Sequence, residues 1–139
     1  MKYILLVVGL FVSNLVFPEQ SALQDLSELT WENRIILIFS ANEDSNDEQL
    51  FAKYNEQIKD RDVIWFILKD KQVITNYPKK LSTQFIDRTK RNFSLETNNV
   101  LLIGKDGDIK LRANQLNLNL IFEKIDSMPM RQQEVKFKR

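Results

Sequence analysis

Two apolar segments of equal length place the strongest constraint on how this chain can fold. Residues 34–39 read RIILIF and residues 63–68 read VIWFIL, and helical periodicity separates them. A run that is apolar on both strand faces and rich in β-branched residues is typical of a buried central strand. Strand–helix–strand crossovers are right-handed, which predicts that the two strands lie parallel. We therefore expect an α/β domain built around this pair.

The segment between the two strands predicts one helix that runs to about Lys59. Ser45-Asn46-Asp47-Glu48 has the form of a capping box at its start. Further along, a polar connector reaches Lys80, and a second helix is expected from about Ser82 to Asn92. Upstream of the first strand, leucines spaced by three predict a short helical turn at Leu23, Leu26 and Leu29.

The last part of the domain predicts a hairpin followed by a helix. Residues 99–103 form a third strand, expected to continue the parallel part of the sheet, and residues 109–111 form an antiparallel partner. Asp106-Gly107 suits a tight primed turn with positive φ values. Asn117 is a plausible N-cap, and Pro129 ends the helix, whose apolar face comprises Leu118, Ile121, Phe122 and Ile125.

This order of elements predicts a thioredoxin-like three-layer sandwich, a mixed sheet of about four strands with flanking helices. The chain has 139 residues, which suits one such domain. We expect it to span residues 23–135 and to be followed by a mobile basic tail at 136–139. The whole stretch from Gln132 is polar and is predicted to be mobile.

The composition excludes several classes of chemistry. The chain has no Cys and no His, so it has no thiol nucleophile, no Cys/His zinc site and no Ser-His-Asp triad. Its net charge of +1 argues against a dedicated nucleic-acid binder. Neither a cofactor nor a metal is expected. An EF-hand-like start at Asp44, Asn46 and Glu48 lacks both the glycine and the bidentate glutamate of such a loop.

The amino terminus predicts export. Lys2 is followed by an apolar stretch at 3–17, and Pro18-Glu19 stops it, as in a secretory signal peptide. Ala22 suits the last removed position, so residues 1–22 are predicted to be cleaved and the rest to be periplasmic or extracellular. The stretch is shorter than a typical spanning helix. Membrane tethering is expected only if residues 3–17 are retained.

Three sequence segments resemble a family. They are residues 31–39 (WENRIILIF), residues 102–111 (LIGKDGDIKL) and residues 125–134, with the Met-Pro-Met-Arg motif at 128–131. Together they resemble an uncharacterised thioredoxin-like, peroxiredoxin-like domain of exported bacterial proteins. It is similar to domains of the animal sushi-repeat-containing and coiled-coil-domain-containing extracellular matrix proteins. The resemblance implies the fold, export and, by analogy with the animal proteins, adhesion or matrix contact.

The matching residues form our candidate binding surface, with two interpretations for each part. Trp31 and Arg34 could present an aromatic platform and a fork of donors, or Trp31 could cover the core edge while Arg34 pairs with Asp126 or Glu134. Two methionines beside a proline could form an adaptable contact, or they could close the core. The candidate residues are Trp31, Arg34, Lys105, Asp106, Gly107, Asp126, Met128, Pro129, Met130, Arg131 and Glu134.

The position of a redox cysteine in this fold follows the first strand. Here residues 40–48 read SANEDSNDE, without sulfur, so thiol redox chemistry is excluded. We therefore predict a non-catalytic binding or adhesion module for an unknown macromolecule, either a protein or an anionic glycan. Basic stretches at 79–91 and 131–139 suit the glycan. The alternatives are a carboxylate enzyme using Asp106 or Asp126 and a membrane-tethered accessory protein.

Overall fold

A computed structural model describes residues 21–40, 44–93 and 99–138. One five-stranded mixed sheet has the order β3-β2-β1-β4-β5. A short 3-10 helix, Leu26–Leu29, precedes it. The strands are β1 (Arg34–Phe39), β2 (Val63–Leu68), β3 (Val73–Thr75), β4 (Val100–Ile103) and β5 (Ile109–Ala113). The helices are α1 (Asp47–Lys53), α2 (Asn55–Asp60), α3 (Phe85–Phe93), α4 (Leu118–Asp126) and α5 (Pro129–Phe137).

Alternate residues of the central strands enter two separate cores. In β1, Ile36 and Ile38 face one core and Ile35 and Leu37 face the other. The first core is closed by α1, α2 and α4, and the second by α3 and the 3-10 helix. Apolar side chains on both faces must be covered by helices on both sides. The result is a three-layer architecture consistent with the predicted thioredoxin-like α/β sandwich.

The parallel pairing of β1 with β2 confirms the first crossover, since Arg34 lies opposite Val63 and Phe39 opposite Leu68. The predicted direction of the third apolar run is wrong. This run, β4, lies antiparallel to β1. The Phe39 N–H donates to the Asn99 carbonyl, so the chain enters β4 at the end where β1 leaves the sheet. The connector also contributes an additional strand, β3, which pairs with β2.

The helices on the amino-terminal side differ in detail from the prediction. The single helix to Lys59 is interrupted at Tyr54, which separates α1 from α2. The predicted capping box is wrong, because Asn46 is the N-cap of α1 and makes no side-chain cap. Ser45 instead hydrogen-bonds the Asp47 carboxylate.

Near the carboxyl end one helix is as predicted and one segment is not. Asn117 caps α4 by accepting the Leu120 N–H, and the four predicted apolar residues are buried. The segment from Gln132, predicted as a mobile tail, instead continues as helix α5 to Phe137. Pro129 therefore begins a helix as well as following one, which suits its fixed φ and missing N–H.

The β4–β5 hairpin forms as predicted but with a different turn. Gly107 has φ +88°, whereas Asp106 does not adopt positive φ. The Gly107 N–H donates to the Gly104 carbonyl, and the Asp106 carboxylate accepts the Asp108 N–H. A primed turn would need positive φ at both positions, so this local hydrogen bonding selects a turn in which glycine alone is left-handed.

Candidate functional site

One edge of the sheet gathers most of the charged candidate residues. β1 and β2 begin at this edge and β4 ends there, so Arg34, Asp62 and Lys105 are brought together. The carboxyl end of α2, the carboxyl end of α4 and helix α5 reach the same place. Their side chains form an ion-pair network of five cations and four carboxylates: Arg34, Arg61, Lys105, Arg131, Lys138, Asp60, Asp62, Asp126 and Glu134.

Arg34 lies at the centre of this network and is 1% exposed. Its two terminal nitrogens donate to the two carboxylate oxygens of Glu134 at 3.1 and 3.2 Å. Its Nη1 also donates to the Arg61 carbonyl at 3.0 Å. A planar guanidinium fits a carboxylate in this two-point geometry. The predicted pairing of Arg34 with Glu134 is therefore confirmed, and the fork of donors is occupied within the protein.

Lys105 joins the hairpin to two other elements. Its Nζ lies 2.6 Å from Glu134 and 3.0 Å from Asp62, and its side chain is largely buried. Burial acts to raise the pKa of Glu134, but the hydrogen bonds and charges of Arg34 and Lys105 together outweigh it. The pKa of Glu134 consequently lies below its ordinary value. Lys105 is a structural cation here and not a solvated turn residue.

Arg131 provides the second attachment of α5. Its Nη2 lies 2.6 Å from Asp60 and its Nε 3.3 Å from Asp126. Asp126 also accepts two hydrogen bonds from Arg61, at 2.8 and 3.0 Å. The hydrogen bond from Arg131 lowers the pKa of Asp60, and the one from Arg61 lowers the pKa of Asp126. Asp126 is thus held ionised, which makes it a poor proton donor near neutral pH.

Asp106 is likewise engaged in an ion pair. Lys110 Nζ lies 2.7 Å from its carboxylate, and this hydrogen bond lowers the pKa of Asp106. Both carboxylates named for an enzymatic role are therefore ionised partners of cations. The next residue, Gly107, serves the left-handed turn, and a Cβ there would meet only Thr30 at ordinary contact distance.

Trp31 and Met130 are the large apolar candidate residues that remain exposed. Trp31 is 66% exposed, so the prediction that it covers the core edge is wrong. Its backbone has φ +72°, and its N–H donates to the Lys105 carbonyl at 2.6 Å. Met130 is 39% exposed. Met128 packs against the core formed with α4, so the core interpretation holds for Met128 alone.

A groove of about 270 Å³ lies between α5 and the hairpin. Met128, Pro129 and Met130 form one wall, while Lys105, Asp106, Lys110 and Lys124 lie around the others, with Arg34 and Gly104 completing the lining. The three residues of the apolar wall belong to the Met-Pro-Met-Arg motif. The motif's arginine, Arg131, turns the other way and joins the ion-pair network.

The opposite edge of the sheet holds a larger cavity of about 900 Å³. It lies where β1 ends, and its polar lining includes Ser40, Ser45, Asp47, Asn114 and Gln115. Burial raises the pKa of Asp47, and a hydrogen bond from Ser45 opposes this only in part. The sequence indicated this position as the place of a redox cysteine but did not single out Asp47.

The matched family spans most of this architecture. Residues 25–134 match the domain of unknown function DUF4174. The chain belongs to the DUF4174 family. No curated protein matches it. The matched segment includes β1 with Arg34 and ends at Glu134. The Arg34–Glu134 ion pair therefore joins residues near the two ends of the matched segment.

The sequence indicated part of this ion-pair network. The sequence named Arg34, Lys105, Asp126, Arg131 and Glu134, and the structure brings these five together. It did not name Asp60, Arg61 and Asp62, although Arg61-Asp62 directly before a buried strand was the available signal.

Among residues 21–40, 44–93 and 99–138, no cluster of three or more acidic side chains could hold a metal ion. No helix in those ranges is long and apolar enough to cross a membrane, and residues 1–20 of the predicted signal segment at 1–22 lie outside them.

Proposed function

We propose that this DUF4174 domain is an exported, non-catalytic binding module whose contact surface is centred on Trp31. Export rests on the sequence of residues 1–22, and the binding role is an expectation from the resemblance of the segments at 31–39, 102–111 and 125–134. The structure supplies the observation that carries the proposal, namely an exposed tryptophan in a left-handed backbone conformation. The charged candidate residues of the ion-pair network stabilise the fold around this surface.

The backbone of Trp31 forms part of the turn between the 3-10 helix and β1, in which the Glu32 N–H donates to the Leu29 carbonyl, but the indole side chain is exposed. A non-glycine residue at positive φ costs about 1 kcal/mol or more. A large apolar side chain left in water gains nothing from burial. Trp31 is in neither apolar core. Strained and exposed side chains of this kind are found at ligand contacts, and tryptophan is enriched among the residues that dominate binding energy.

The rigidity of the underlying network supports the same proposal. The Trp31 N–H is bonded to Lys105, and Lys105 is bonded to Asp62 and Glu134. The backbone that carries the indole is therefore connected to the hairpin, to the loop before β2 and to α5. A preorganised side chain loses less entropy on binding than a mobile one.

The experiment compares two exposed apolar residues. The mature wild-type domain, Trp31→Gly and Leu120→Ala are immobilised and incubated with a native envelope extract, and the retained components are quantified by mass spectrometry. Leu120 is 46% exposed and lies on α4, away from Trp31. We expect components that wild type and Leu120→Ala retain and Trp31→Gly loses. Equal retention by all three proteins would contradict the proposal.

A heparin column separates the two classes of partner. The basic stretches include exposed Lys79, Lys80 and Arg91, but Arg131 and Lys138 are already paired with Asp60. Because a polyanion would have to rely on the remaining cations, we expect elution at or below physiological salt. Retention well above physiological salt would favour an anionic glycan over a protein as the partner.

A second candidate function is carboxylate-based catalysis, and one observation favours it. Asp47 lies in the larger cavity with a raised pKa, which is a property of catalytic acids. The test is an activity found for the wild-type protein that Asp47→Asn abolishes while thermal stability is retained. Activity that persists in Asp47→Asn would exclude Asp47 from this role.

A further inference from the structure

The groove between α5 and the hairpin combines cations with an apolar wall. Lys105, Lys110 and Lys124 lie beside Met128, Pro129 and Met130, and Asp106 is the acidic residue of the lining. Lys105 and Lys110 are engaged with carboxylates of the protein. Lys124 makes no ion pair with any residue in the described ranges. The excess of cations favours an anionic ligand group.

Two further features of the groove also favour an anion. Helix α5 begins at its rim, has no side-chain cap, and carries the partial positive charge of a helix amino terminus. Arg34 also lines the groove; its Nε–H has no acceptor within the described residues but is itself buried, so Arg34 contributes its charge and not a direct hydrogen bond to a ligand. In the part of the chain that the structure describes, three of the four cations in the lining are paired with carboxylates, so the unpaired Lys124 and the amino terminus of α5 supply the remaining positive charge of the groove.

The apolar wall determines which anion fits. A methionine side chain is flexible and polarisable, and it adapts to apolar side chains of different shapes. The side chain of Met130 can adapt in this way because it is 39% exposed. Met128, which precedes it by two residues, packs against the apolar core and is held in place. A sulfated sugar would place hydroxyl groups against these thioethers and leave the hydroxyls without hydrogen bonds. A peptide that has a carboxylate next to an apolar side chain can place the carboxylate near the lysines and the apolar side chain against the methionines.

We propose that this groove binds an acidic peptide segment of a partner protein. A carboxylate lies near Lys124 and the amino end of α5, and a neighbouring apolar side chain packs on Met130. The inference rests on the proposed binding function and names the chemistry of the partner. Lys105 connects the groove to Trp31, so one partner can contact both places.

The test uses the full mature domain and a fluorescein-labelled hexapeptide that alternates leucine with glutamate. Its counterpart with glutamine in place of glutamate removes the charge and keeps the shape. We expect the glutamate peptide to raise fluorescence anisotropy and the glutamine peptide to bind at least about tenfold more weakly. Binding should also weaken as salt is added. Equal affinity of the two peptides would overturn the proposal.

Two pairs of variants locate the binding. Lys124→Gln is compared with Lys136→Gln, which removes a cation from α5 outside the groove. Met130→Ser is compared with Val135→Ser, since both residues are 39% exposed and lie on the same helix. We expect about threefold weaker binding for Lys124→Gln and about tenfold weaker binding for Met130→Ser. The two control variants should match wild type, and equal losses in a control would overturn the assignment.

The outcomes also separate this inference from the proposed function. If Trp31→Gly loses envelope components but both peptides fail to bind, the module binds a partner and the groove assignment is wrong. Displacement of the glutamate peptide by heparin at physiological salt would reassign the groove to an anionic glycan. Thermal unfolding of Trp31→Gly and of the four groove and control variants is measured in parallel, so that a loss of binding is distinguished from a loss of folding.

Discussion

Arg34 shows how a single residue can hold several elements together. It is the first residue of β1, and it is almost fully buried against Glu134, which lies 100 positions away in sequence. A buried ion pair is often no more stabilising than a well-packed apolar pair, but removal of one partner leaves an uncompensated charge. Replacement of either Arg34 or Glu134 alone is therefore expected to lower the stability of the fold.

We predict that Glu134→Gln lowers the free energy of unfolding by about 3 kcal/mol, because it strands the buried Arg34 charge. The double variant Arg34→Met/Glu134→Leu should lose less stability than the sum of the losses of its two single variants, Arg34→Met and Glu134→Leu. Urea unfolding at pH 7 measures all of them. Lys136→Gln serves as the control with almost no effect, and simple additivity of the pair would contradict the prediction.

The positive φ of Trp31 makes its own prediction at the residue scale. Trp31→Gly should be more stable than Trp31→Ala by about 1 kcal/mol, because alanine keeps the backbone strain and glycine removes it. Thermal or urea unfolding of the two variants gives the difference. Equal stabilities would mean that φ +72° is not strained in this setting.

Helix α5 is the element whose position depends most on charge. Its sequence is largely polar, and its one fully buried side chain is Arg131. It is attached to the sheet edge through Arg131, Glu134 and Lys138 and not through an apolar face. Its attachment should therefore respond to the ionisation of the carboxylates that it contacts.

We predict that acid weakens this attachment. Asp60, Asp126 and Glu134 all have lowered pKa values in the fold, against ordinary values of 3.8, 3.8 and 4.5. Their stabilisation is complete above the ordinary values and is lost as the pH falls through the lower folded values. Asp47, with its raised pKa, contributes in the opposite direction.

Urea unfolding between pH 7 and pH 3 should accordingly show a stability that declines below about pH 4.5. The triple variant Asp60→Asn, Asp126→Asn and Glu134→Gln should be less stable at pH 7 and have a flatter pH profile. A triple variant with the same slope as wild type would show that other carboxylates cause the acid sensitivity.

At the scale of the whole molecule, the described fold begins close to the predicted processing site. Leu23 is buried and pairs with Leu81, and its N–H donates to the Lys80 carbonyl. Removal of residues 1–22, as the sequence predicts, would keep Leu23 and therefore this contact.

Intact-mass measurement of the protein recovered from the envelope tests that order. We expect a chain that starts near Leu23 and is released without detergent, because the apolar stretch at 3–17 has been removed. A mass that includes Met1, together with a detergent requirement, would support the membrane-tethered alternative.

The amino-acid sequence predicted the buried strands, the apolar face of α4 and the chemistry that the chain lacks. Continuous apolar runs predicted β1 and β2, and the spacing of Leu118, Ile121, Phe122 and Ile125 predicted the buried face of α4. These features depend on burial along one segment, which periodicity records. The absence of cysteine excluded thiol redox chemistry without any structure.

The direction of strand β4 and the pairing of charged residues depend on contacts that form only in the folded chain. The antiparallel course of β4 depends on where the chain re-enters the sheet, and no local pattern encodes that position. The chain has 20 cations and 19 carboxylates, and the sequence offered Asp126 and Glu134 as partners of Arg34 without choosing between them. The pairing of Arg34 with Glu134 and of Arg131 with Asp60 follows from the meeting of distant elements at one sheet edge. Electrostatic contacts depend on distance in space and not on distance along the chain.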